Sequence, residues 1–341
     1  MDKKNIDWAN LGFGYYQTEK RYVCNFKDGK WEDGFISEDP NVTMNECAGV
    51  LHYCQTCFEG MKAYTTQDGR TVVFRPDMNA QRMVDSTKRL EMPEFPVEKF
   101  IEAIDEVVKA NYEYVPPFGT GAALYLRPVM FATGSVMGIK PATEYQFRII
   151  ASPVGPYFKK GGASSLVLKV SDFDRSAPHG TGHIKAGLNY AMSLHPIVVA
   201  HAEGFNENLY LDAQTRTKIE ETGGANFFFV TKDNTIVTPK SDTILPSITR
   251  RSLMSLAQDL GYTVEEREVL LTELDDFVEC GLCGTAAVIS PVGKVNDHGR
   301  EIVFEGSKDG MGEISKKLYE TLTGIQSGTV EAPQGWIRTI M

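Results

Sequence analysis

The feature that most restricts how this chain can fold is a segment rich in proline and glycine near its middle. Residues 153–162 read PVGPYFKKGG and lie between two strand-like runs, residues 145–151 and 164–170. Proline and glycine at this density interrupt regular structure, so the chain either divides here or forms one long hairpin loop inside a single domain. Its 341 residues are enough for two domains of ordinary size. The sequence therefore predicts an N-terminal domain over residues 1–157, a linker over 158–164 and a C-terminal domain over 165–341.

Strand-like and helical patterns alternate on both sides of this segment. Residues 97–112 repeat apolar side chains at helical spacing, and residues 248–260 do the same before Gly261, a residue typical of helix ends. A further helix is predicted over residues 79–90. The alternation predicts an α/β or α+β enzyme. Strands are predicted at residues 71–75, 124–129, 145–151, 164–170, 207–211 and 227–231.

The composition is that of a soluble globular protein, with 42% hydrophobic and 23% charged residues. The formal net charge of -10 repels phosphodiester backbones and argues against nucleic acid as a partner. Charged and amide residues interrupt residues 1–16 throughout, which therefore lack the apolar core of a signal peptide. The longest apolar runs are too short to cross a bilayer. We expect a cytoplasmic protein that binds neither nucleic acid nor membrane.

Motifs for metals, nucleotides and redox chemistry are weak or missing. His179 and His183 lie four residues apart, but the glycines between them argue against a metal-binding helix. No P-loop and no nucleophile elbow occurs. We expect structural thiols and no metal, because the spacing between the two Cys-x-x-Cys pairs is far beyond that of a zinc ribbon. These pairs are Cys54/Cys57 and Cys280/Cys283.

The most informative stretch surrounds a lysine. Lys185 has small or apolar neighbours, with glycines on both sides at positions 180, 182 and 187. A desolvated lysine amine is a usable nucleophile for a carbonyl compound, and small neighbours allow a planar cofactor to approach. A surface lysine in a Gly-rich loop is the commoner explanation of such a stretch alone, so a function for Lys185 depends on partner residues elsewhere.

A pyridoxal cofactor requires, besides a lysine, an acid at its ring nitrogen and an anion site for its phosphate. Residues 220–226 (EETGGAN) offer a carboxylate on a tight turn before an apolar strand, although a solvated turn explains them as well. Residues 245–251 (LPSITRR) open a helix, where free N–H groups and the helix dipole bind phosphate. The two arginines of that first turn call for a nearby anion, which could equally be a protein carboxylate. Residues 284–287 (GTAA) supply a second small-residue turn.

At these residues the sequence closely resembles the branched-chain aminotransferases of fold type IV, from Leu11 to Trp336. That resemblance implies a smaller N-terminal α/β domain and a larger C-terminal domain with a mixed, barrel-like sheet. It also implies pyridoxal 5'-phosphate as cofactor and reversible, ping-pong transamination of L-leucine, L-isoleucine and L-valine with 2-oxoglutarate, giving branched 2-oxo acids and L-glutamate. The most specific blocks are LHYCQTCFEG (51–60), VFRPDMNAQRM (73–83), LYLRPV (124–129), HIKAGLNY (183–190), EETGGANFF (220–228), LPSITR (245–250) and CGTAA (283–287).

The resemblance also implies which residues hold the cofactor. Lys185 would carry it and then shuttle a proton between the substrate Cα and the cofactor. Tyr190 would bind the phenolic oxygen and Glu221 the ring nitrogen. Arg75 is a nearby arginine that we do not choose for the phosphate. The phosphate ligands would be Arg82, Ile248, Thr249 and Thr285, the last three partly through backbone N–H groups.

The resemblance also implies which residues bind the substrate. Arg127, with Tyr125, is implied to bind the distal carboxylate of glutamate; its alternative role is that of a core arginine paired with Asp or Glu. The family is homodimeric, and a loop of the partner around residues 134–141 is implied to complete the site. The turn Thr285, Ala286 and Ala287 would bind the α-carboxylate, and the pocket walls would be Phe13, Tyr53, Phe58 and Tyr125.

One departure from the family concerns its thiols. The mammalian members carry a redox Cys-x-x-Cys immediately after Gly-Thr-Ala, and here those two positions are Ala287 and Ser290. Cys280 and Cys283 lie before the motif and do not replace it in register. We therefore expect that this thiol switch is absent.

Three alternative functions stay open at this point. A D-amino-acid aminotransferase or an aminodeoxychorismate lyase would keep the lysine, the acid and the phosphate helix, but the blocks at 51–60 and 124–129 favour the branched-chain class. A non-catalytic protein that binds pyridoxal phosphate is the alternative from another class. Against it stand Lys185, Tyr190, Glu221 and Arg82, which are all in place.

Overall fold

The computed structural model describes residues 3–155 and 164–341. The chain divides into two compact units. The first comprises Met1–Tyr157, Ile184–Gly187 and Gly324–Met341, and the second comprises Phe158–His183 and Leu188–Thr323. Most of the linker predicted at 158–164 lies outside the described residues, so the predicted domain boundaries stay a prediction. Within 3–155 and 164–341, no helix is long and apolar enough to cross a membrane.

The first unit is built on an antiparallel sheet whose strands follow the order β17-β6-β5-β7-β8-β1-β2, with β3 on β1 and β4 on β7. β7 and β8 are its longest strands and pair along ten residues each. The strands are β1 Arg21–Lys27, β2 Lys30–Trp31, β3 Phe35–Ser37, β4 Thr56–Phe58, β5 Met61–Thr65, β6 Thr71–Phe74, β7 Ala123–Ala132, β8 Tyr145–Val154 and β17 Ile337–Thr339.

Three helices accompany this sheet: α1 Gly49–Tyr53, α2 Pro76–Arg89 and α3 Val97–Ala110. The apolar stripe of α3 is buried, and the core beside it contains stacked aromatic rings. Phe95 and Phe147 lie 4.0 Å apart between centroids, and both are fully buried. Burial of each such side chain contributes about 1.5–3 kcal/mol to folding. The sheet and α3 therefore form the rigid support on which β4 and α2 place their side chains.

The second unit contains a mixed sheet in the order β10-β9-β15-β14-β11-β12-β13, with β16 on β15. β9 pairs in parallel with β10 and β15, and β12 with β13, while the other pairs are antiparallel. Stacked rings of Phe229 and Phe277, 4.7 Å apart, mark its core. Its strands are β9 Leu166–Val170, β10 Glu207–Leu209, β11 Asn226–Thr231, β12 Ile236–Pro239, β13 Val264–Arg267, β14 Phe277–Gly284, β15 Val288–Asp297 and β16 Arg300–Val303.

The remaining helices are α4 Gly187–Met192, α5 Leu194–Ala202, α6 Ile248–Asp259 and α7 Glu313–Ser327. The structure confirms the predicted strands and helices and corrects several ends. α2 begins at Pro76 rather than Asn79, because proline is well suited to the first helical position. α3 ends at Ala110, and the side-chain amide of its C-cap residue Asn111 donates to the Val107 carbonyl at 2.9 Å. Gly261 follows α6 with φ of +86°, as a helix terminus requires.

Candidate active site

Lys185 is held through its main chain from two sides. Its N–H donates to the Ser86 hydroxyl of α2 at 3.1 Å, and its carbonyl accepts the Phe58 N–H of β4 at 3.0 Å. Next to it, Cys57 and Ala186 form an isolated antiparallel bridge. Lys185 is half-buried. The lysine therefore lies on a short extended segment fixed to the first unit, not in a loose surface loop.

The Phe58 ring lies close to two cations. Lys185 Nζ is 5.0 Å and Arg127 Cζ is 4.9 Å from its centroid, within the range of cation–π attraction. Arg127 also lies 5.2 Å from the Tyr125 ring and donates to the Tyr125 hydroxyl at 2.9 Å. In residues 3–155 and 164–341 no carboxylate pairs with Arg127, and its Nε is buried without a hydrogen-bond partner. Aromatic rings, not an ion pair, position this guanidinium.

Phe13 and Tyr53 lie at the exposed side of this group. Phe13 packs edge-on against Tyr125 at 5.4 Å between centroids. The Tyr53 hydroxyl accepts the N–H of Gly138 at 2.8 Å, which connects it to the segment 134–141. Both side chains are about two-fifths exposed. The first unit thus brings Phe13, Phe58, Tyr125 and Arg127 together, while Tyr53 contacts the segment predicted to reach a partner.

Lys62 is a buried cation that the sequence did not single out. It lies on β5 directly opposite Tyr125 on β7, so the two side chains share one face of the sheet. Its Nζ is 5.8 Å from the centroid of Phe13. Burial lowers the pKa of Lys62 to about 8, because an ammonium group loses its hydration there.

Arg82 forms a buried ion pair with Glu59. Its Nε and Nη2 donate to the two oxygens of that carboxylate at 2.8 and 2.7 Å, a fork-on-fork arrangement. Asn79 donates to Glu59 as well, at 2.7 Å. Arg82 and Glu59 are 6% and 0% exposed, so this arginine is no surface helix charge. Arg75, by contrast, stacks on Trp336 with its Cζ 4.5 Å from the ring centroid.

In the second unit, Glu221 is a buried carboxylate surrounded by donors. Arg175 Nη2 lies 2.8 Å from its Oε1, which also accepts the Leu245 N–H at 2.9 Å. Asn226 Nδ2 donates to Oε2 at 2.5 Å. Hydrogen bonds to the charged form favour ionisation of a carboxyl group. The predicted acid is thus buried and fixed by three donors rather than part of a solvated turn.

The turn that follows Glu221 leaves open space. Thr222 closes it by accepting from the Ala225 N–H through its hydroxyl at 2.9 Å. A Cβ placed on Gly224 would meet no atom within 4 Å. Tyr190, on α4 of the same unit, is half-buried. A flat ligand could approach the backbone of this turn closely, because Gly224 has no side chain.

Ile248 and Thr249 are the first two residues of α6. The hydroxyl of Ser247, the N-cap, accepts the Arg250 N–H at 3.2 Å. Among the described residues no acceptor is seen for the N–H groups of Ile248 and Thr249, as expected for the first turn of a helix. Arg250 Nη1 lies 3.4 Å from Glu266 Oε1. A protein carboxylate is therefore the nearby anion for one of the two arginines.

Thr285, Ala286 and Ala287 form the turn between β14 and β15, as predicted. The next residue, Val288, has φ of +66°, and the Ile289 N–H donates to the Ala287 carbonyl at 2.9 Å. Positive φ is rare for a β-branched residue, and a γ-turn of this kind is strained. Strained backbone of this kind clusters at ligand-binding sites. The three turn residues are half-buried, which leaves them open to a ligand.

The thiols do not form a redox pair. Cys280 and Cys283 are both free and buried on β14, and their odd spacing places them on opposite faces of the strand. Burial raises the pKa of Cys283 to about 12 and that of Cys280 well above its usual range. In the part of the chain that the structure describes, no group of three or more His, Cys, Asp and Glu side chains could hold a metal ion.

The chain is similar to known aminotransferases over most of its length. Residues 56–295 match the family model for amino-transferase class IV. A branched-chain-amino-acid aminotransferase of Haemophilus influenzae is 48% identical over 340 residues, which cover 98% of each chain. The crystal structure of the Escherichia coli branched-chain amino acid aminotransferase superposes with a TM-score of 0.78 at 27% identity, over 94% of this chain and 99% of that one. The Thermobaculum terrenum enzyme in its PLP-form superposes with a TM-score of 0.78 at 26% identity, over 95% of this chain and 100% of that one.

The chain therefore belongs to the class IV aminotransferases and, within them, to the branched-chain-amino-acid aminotransferases. The predicted fold type IV architecture is confirmed by the same comparisons.

No role was predicted from the sequence for three residues of the candidate site: Glu59, Lys62 and Arg175. Glu59 lies inside the block at 51–60, three residues before Lys62, and its partner Arg82 is 23 positions away. Arg175 lies ten residues before Lys185 in a stretch without a recognisable pattern. A buried charge between strands or turns has no periodic signature, so only the FEG block could have pointed to Glu59.

Proposed function

We propose that this enzyme transfers the amino group of L-leucine, L-isoleucine or L-valine to 2-oxoglutarate in ping-pong order, with pyridoxal 5'-phosphate as cofactor. The setting of Lys185 carries the proposal, because two main-chain hydrogen bonds fix this half-buried lysine and its Nζ lies 5.0 Å from the centroid of the Phe58 ring. The 48% identity to a branched-chain-amino-acid aminotransferase supports the substrate class. When bound, the cofactor supplies a protonated ring that accommodates the electron pair released when the substrate loses its Cα proton.

The donor set of the second unit fits this cofactor. Glu221, in contact with Arg175 and Asn226, offers a carboxylate that suits a protonated ring nitrogen. The N–H groups of Ile248 and Thr249 at the start of α6 suit a phosphate. Tyr190 would donate to the phenolic oxygen. Thr285 in the neighbouring turn and Arg82 in the first unit would complete the phosphate ligands.

Proton transfer falls to Lys185. Its amine would hold the cofactor in the resting enzyme. With the substrate bound in its place, the freed amine would act as the base that takes the proton from the substrate Cα and later returns it. The hydrogen bonds to the Ser86 hydroxyl and from the Phe58 N–H fix the main chain, so only the side chain of Lys185 has to move.

Substrate selection needs a pocket that accepts both an aliphatic side chain and a carboxylate. Phe58, Phe13 and Tyr125 supply apolar walls, with Tyr53 beside them. Arg127, held against two rings, binds the distal carboxylate of glutamate together with the Tyr125 hydroxyl. The N–H groups of the turn Thr285, Ala286 and Ala287 bind the α-carboxylate.

The active enzyme is a homodimer in which residues 134–141 of one protomer reach the other. Met137 and Ile139 in this segment are 81% and 96% exposed, an unusual state for large apolar side chains. Light scattering across a dilution series tests the dimer, and Ile139→Asp should shift it toward monomer. A cytoplasmic location is a further prediction, which cell fractionation tests.

The decisive experiment is a visible spectrum of the protein reconstituted with pyridoxal 5'-phosphate. L-leucine alone should bleach the band of the bound cofactor, and 2-oxoglutarate should restore it. Lys185→Ala should abolish turnover, whereas Lys316→Ala on an exposed face of α7 should not. A band that answers D-alanine instead would indicate a D-amino-acid aminotransferase, and pyruvate released from aminodeoxychorismate would indicate the lyase. A protein that develops no band has a different function.

A further inference from the structure

We infer that Arg175 is a positioning residue that acts through Glu221, keeping its carboxylate ionised and aimed at the ring nitrogen of the cofactor. This inference rests on the proposed role of Glu221. Arg175 itself needs no contact with substrate or cofactor. Its function would be to make Glu221, rather than a neighbouring group, the charged acceptor of the site.

The geometry around Arg175 is fixed by several acceptors. Its Nη2 lies 2.8 Å from Glu221 Oε1 and also donates to the carbonyls of Thr243 and Gly182, the latter at 3.3 Å. The side chains of Arg175 and Glu221 are 5% and 4% exposed. Charges so far removed from water interact strongly, and an unpaired one is very costly. The guanidinium therefore cannot turn away from Glu221 without losing acceptors.

A second buried carboxylate, Glu220, lies near the same cation. Glu220 is 3% exposed. Its carboxylate accepts hydrogen bonds from the Thr243 hydroxyl and from Ser241 Oγ, the latter at 3.2 Å. Arg175 acts on it electrostatically, without direct contact. Burial raises the pKa of Glu220, an effect that Thr243 and Arg175 offset in part. A cavity of about 390 Å³ is lined by Glu220 and by the titratable side chains of His179, Asp212, Lys218, Lys240, Asp242 and Glu268.

The two adjacent acids thus have different partners. Glu221 has the direct ion pair and the amide of Asn226, whereas Glu220 has hydroxyl donors. Burial raises the pKa of Glu220, whereas Glu221 has the guanidinium of Arg175 in direct contact. Without Arg175, Glu221 would be a buried carboxylate without its cation, and it would bind a proton instead. A neutral carboxyl group is a much weaker acceptor for a ring N–H.

The test compares two ligands in binding experiments with the apoprotein. One is pyridoxal 5'-phosphate; the other is its analogue in which a C–H group replaces the ring nitrogen and which gains nothing from Glu221. Arg175→Gln should weaken binding of pyridoxal 5'-phosphate by about tenfold or more, about 1.4 kcal/mol, and change binding of the analogue less than about twofold. Arg175→Lys, which keeps the charge, should restore part of the loss. In a Glu221→Gln background, Arg175→Gln should cause no further loss.

The outcomes separate this inference from the function on which it rests. Equal weakening of both ligands by Arg175→Gln, with no recovery in Arg175→Lys, would mean that Arg175 only supports the local fold. Additive losses in the double variant would likewise overturn the route through Glu221. If the wild-type protein binds neither ligand, the proposed function fails, and the inference fails with it. If Arg175→Gln does not fold, the ligand comparison in Arg175→Lys decides alone: a loss confined to pyridoxal 5'-phosphate supports the inference, and an equal loss overturns it.

Discussion

The main-chain N–H of Lys185 donates to the hydroxyl of Ser86, 99 positions earlier in the chain, at 3.1 Å. Ser86 is buried on α2, and its hydroxyl in turn donates to the carbonyl of Arg82 at 2.9 Å. One serine therefore connects the backbone of the proposed catalytic lysine to the helix that carries the proposed phosphate ligand.

Ser86→Ala should slow transamination because it leaves the Lys185 N–H without its acceptor and loosens the lysine. A buried donor without a partner costs about 1–3 kcal/mol, so we expect a fall in kcat of about tenfold. Thr87→Val is the matched control, since Thr87 is a buried neighbour whose hydroxyl donates to Val84 and not to the lysine segment. Equal activity losses in the two variants, measured by steady-state kinetics, would argue against a special role for Ser86.

Glu59→Gln should destabilise the first unit strongly. It removes the charge opposite Arg82 while both groups stay buried, and breaking such a pair costs about 3–5 kcal/mol. Urea unfolding measures this loss. The double variant Glu59→Leu/Arg82→Met should be more stable than Glu59→Gln, because no unpaired charge remains. Glu59→Leu and Arg82→Met, each alone, complete the comparison, and the coupling would be disproved if the double variant lost the sum of their two losses.

Lys62 should make stability depend on pH in the alkaline range. Its pKa is about 8 in the folded chain and near 10.4 in an unfolded one. Between these values only the unfolded chain holds the proton, so the contribution of Lys62 to the free energy of unfolding rises with pH. Lys62→Met should therefore stabilise the protein at pH 7, by at most about 3 kcal/mol, and the gain should shrink between pH 8 and 10.4. A gain that is constant with pH in urea titrations would contradict this.

At position 288, glycine should give a more stable protein than alanine, which is the reverse of the usual order. At φ of +66° a Cβ costs about 1–2 kcal/mol, so Val288→Gly should be more stable than Val288→Ala by about 1 kcal/mol. At Val292, a fully buried residue in the interior of β15, the order should be normal. Thermal unfolding of the four variants checks both orders, and alanine above glycine at both positions would show that the turn is not strained.

The buried thiols should resist oxidation. The raised pKa of Cys280 and Cys283 leaves almost no thiolate at neutral pH, and the thiolate is the reactive form. Exposed Cys54 should react first with a thiol reagent, and Cys54→Ser should remove that fast phase. Mild peroxide should leave the activity unchanged. Inactivation that thiols reverse and Cys283→Ser prevents would be evidence for a switch.

The sequence was sufficient where local patterns decide the structure. The apolar spacing of residues 97–112 and 248–260 predicts two helices. Both are present, and each ends one or two residues before the predicted end. The small-residue turn at 284–287 was also foreseen. These features depend on neighbours in sequence, so a single chain contains the information.

Contacts between distant residues were not predictable in the same way. Nothing near Lys185 indicates that Ser86 and Phe58 hold it, and nothing near Glu221 indicates Arg175. The predicted roles of Arg82, Glu221 and Tyr190 come from the resemblance to known aminotransferases, and periodicity alone could not have indicated them. The partners that hold these residues in place became visible only in three dimensions.

The position of β17 has a consequence for how the protein is made. This strand, residues 337–339, pairs with β6 at the edge of the first sheet, more than 260 positions earlier in the chain. During translation β6 therefore emerges long before its partner and keeps an unpaired edge until residues 337–339 have left the ribosome. Open edges invite wrong pairing, so the nascent chain is most prone to aggregate in this interval, and a chaperone that covers β6 would protect it.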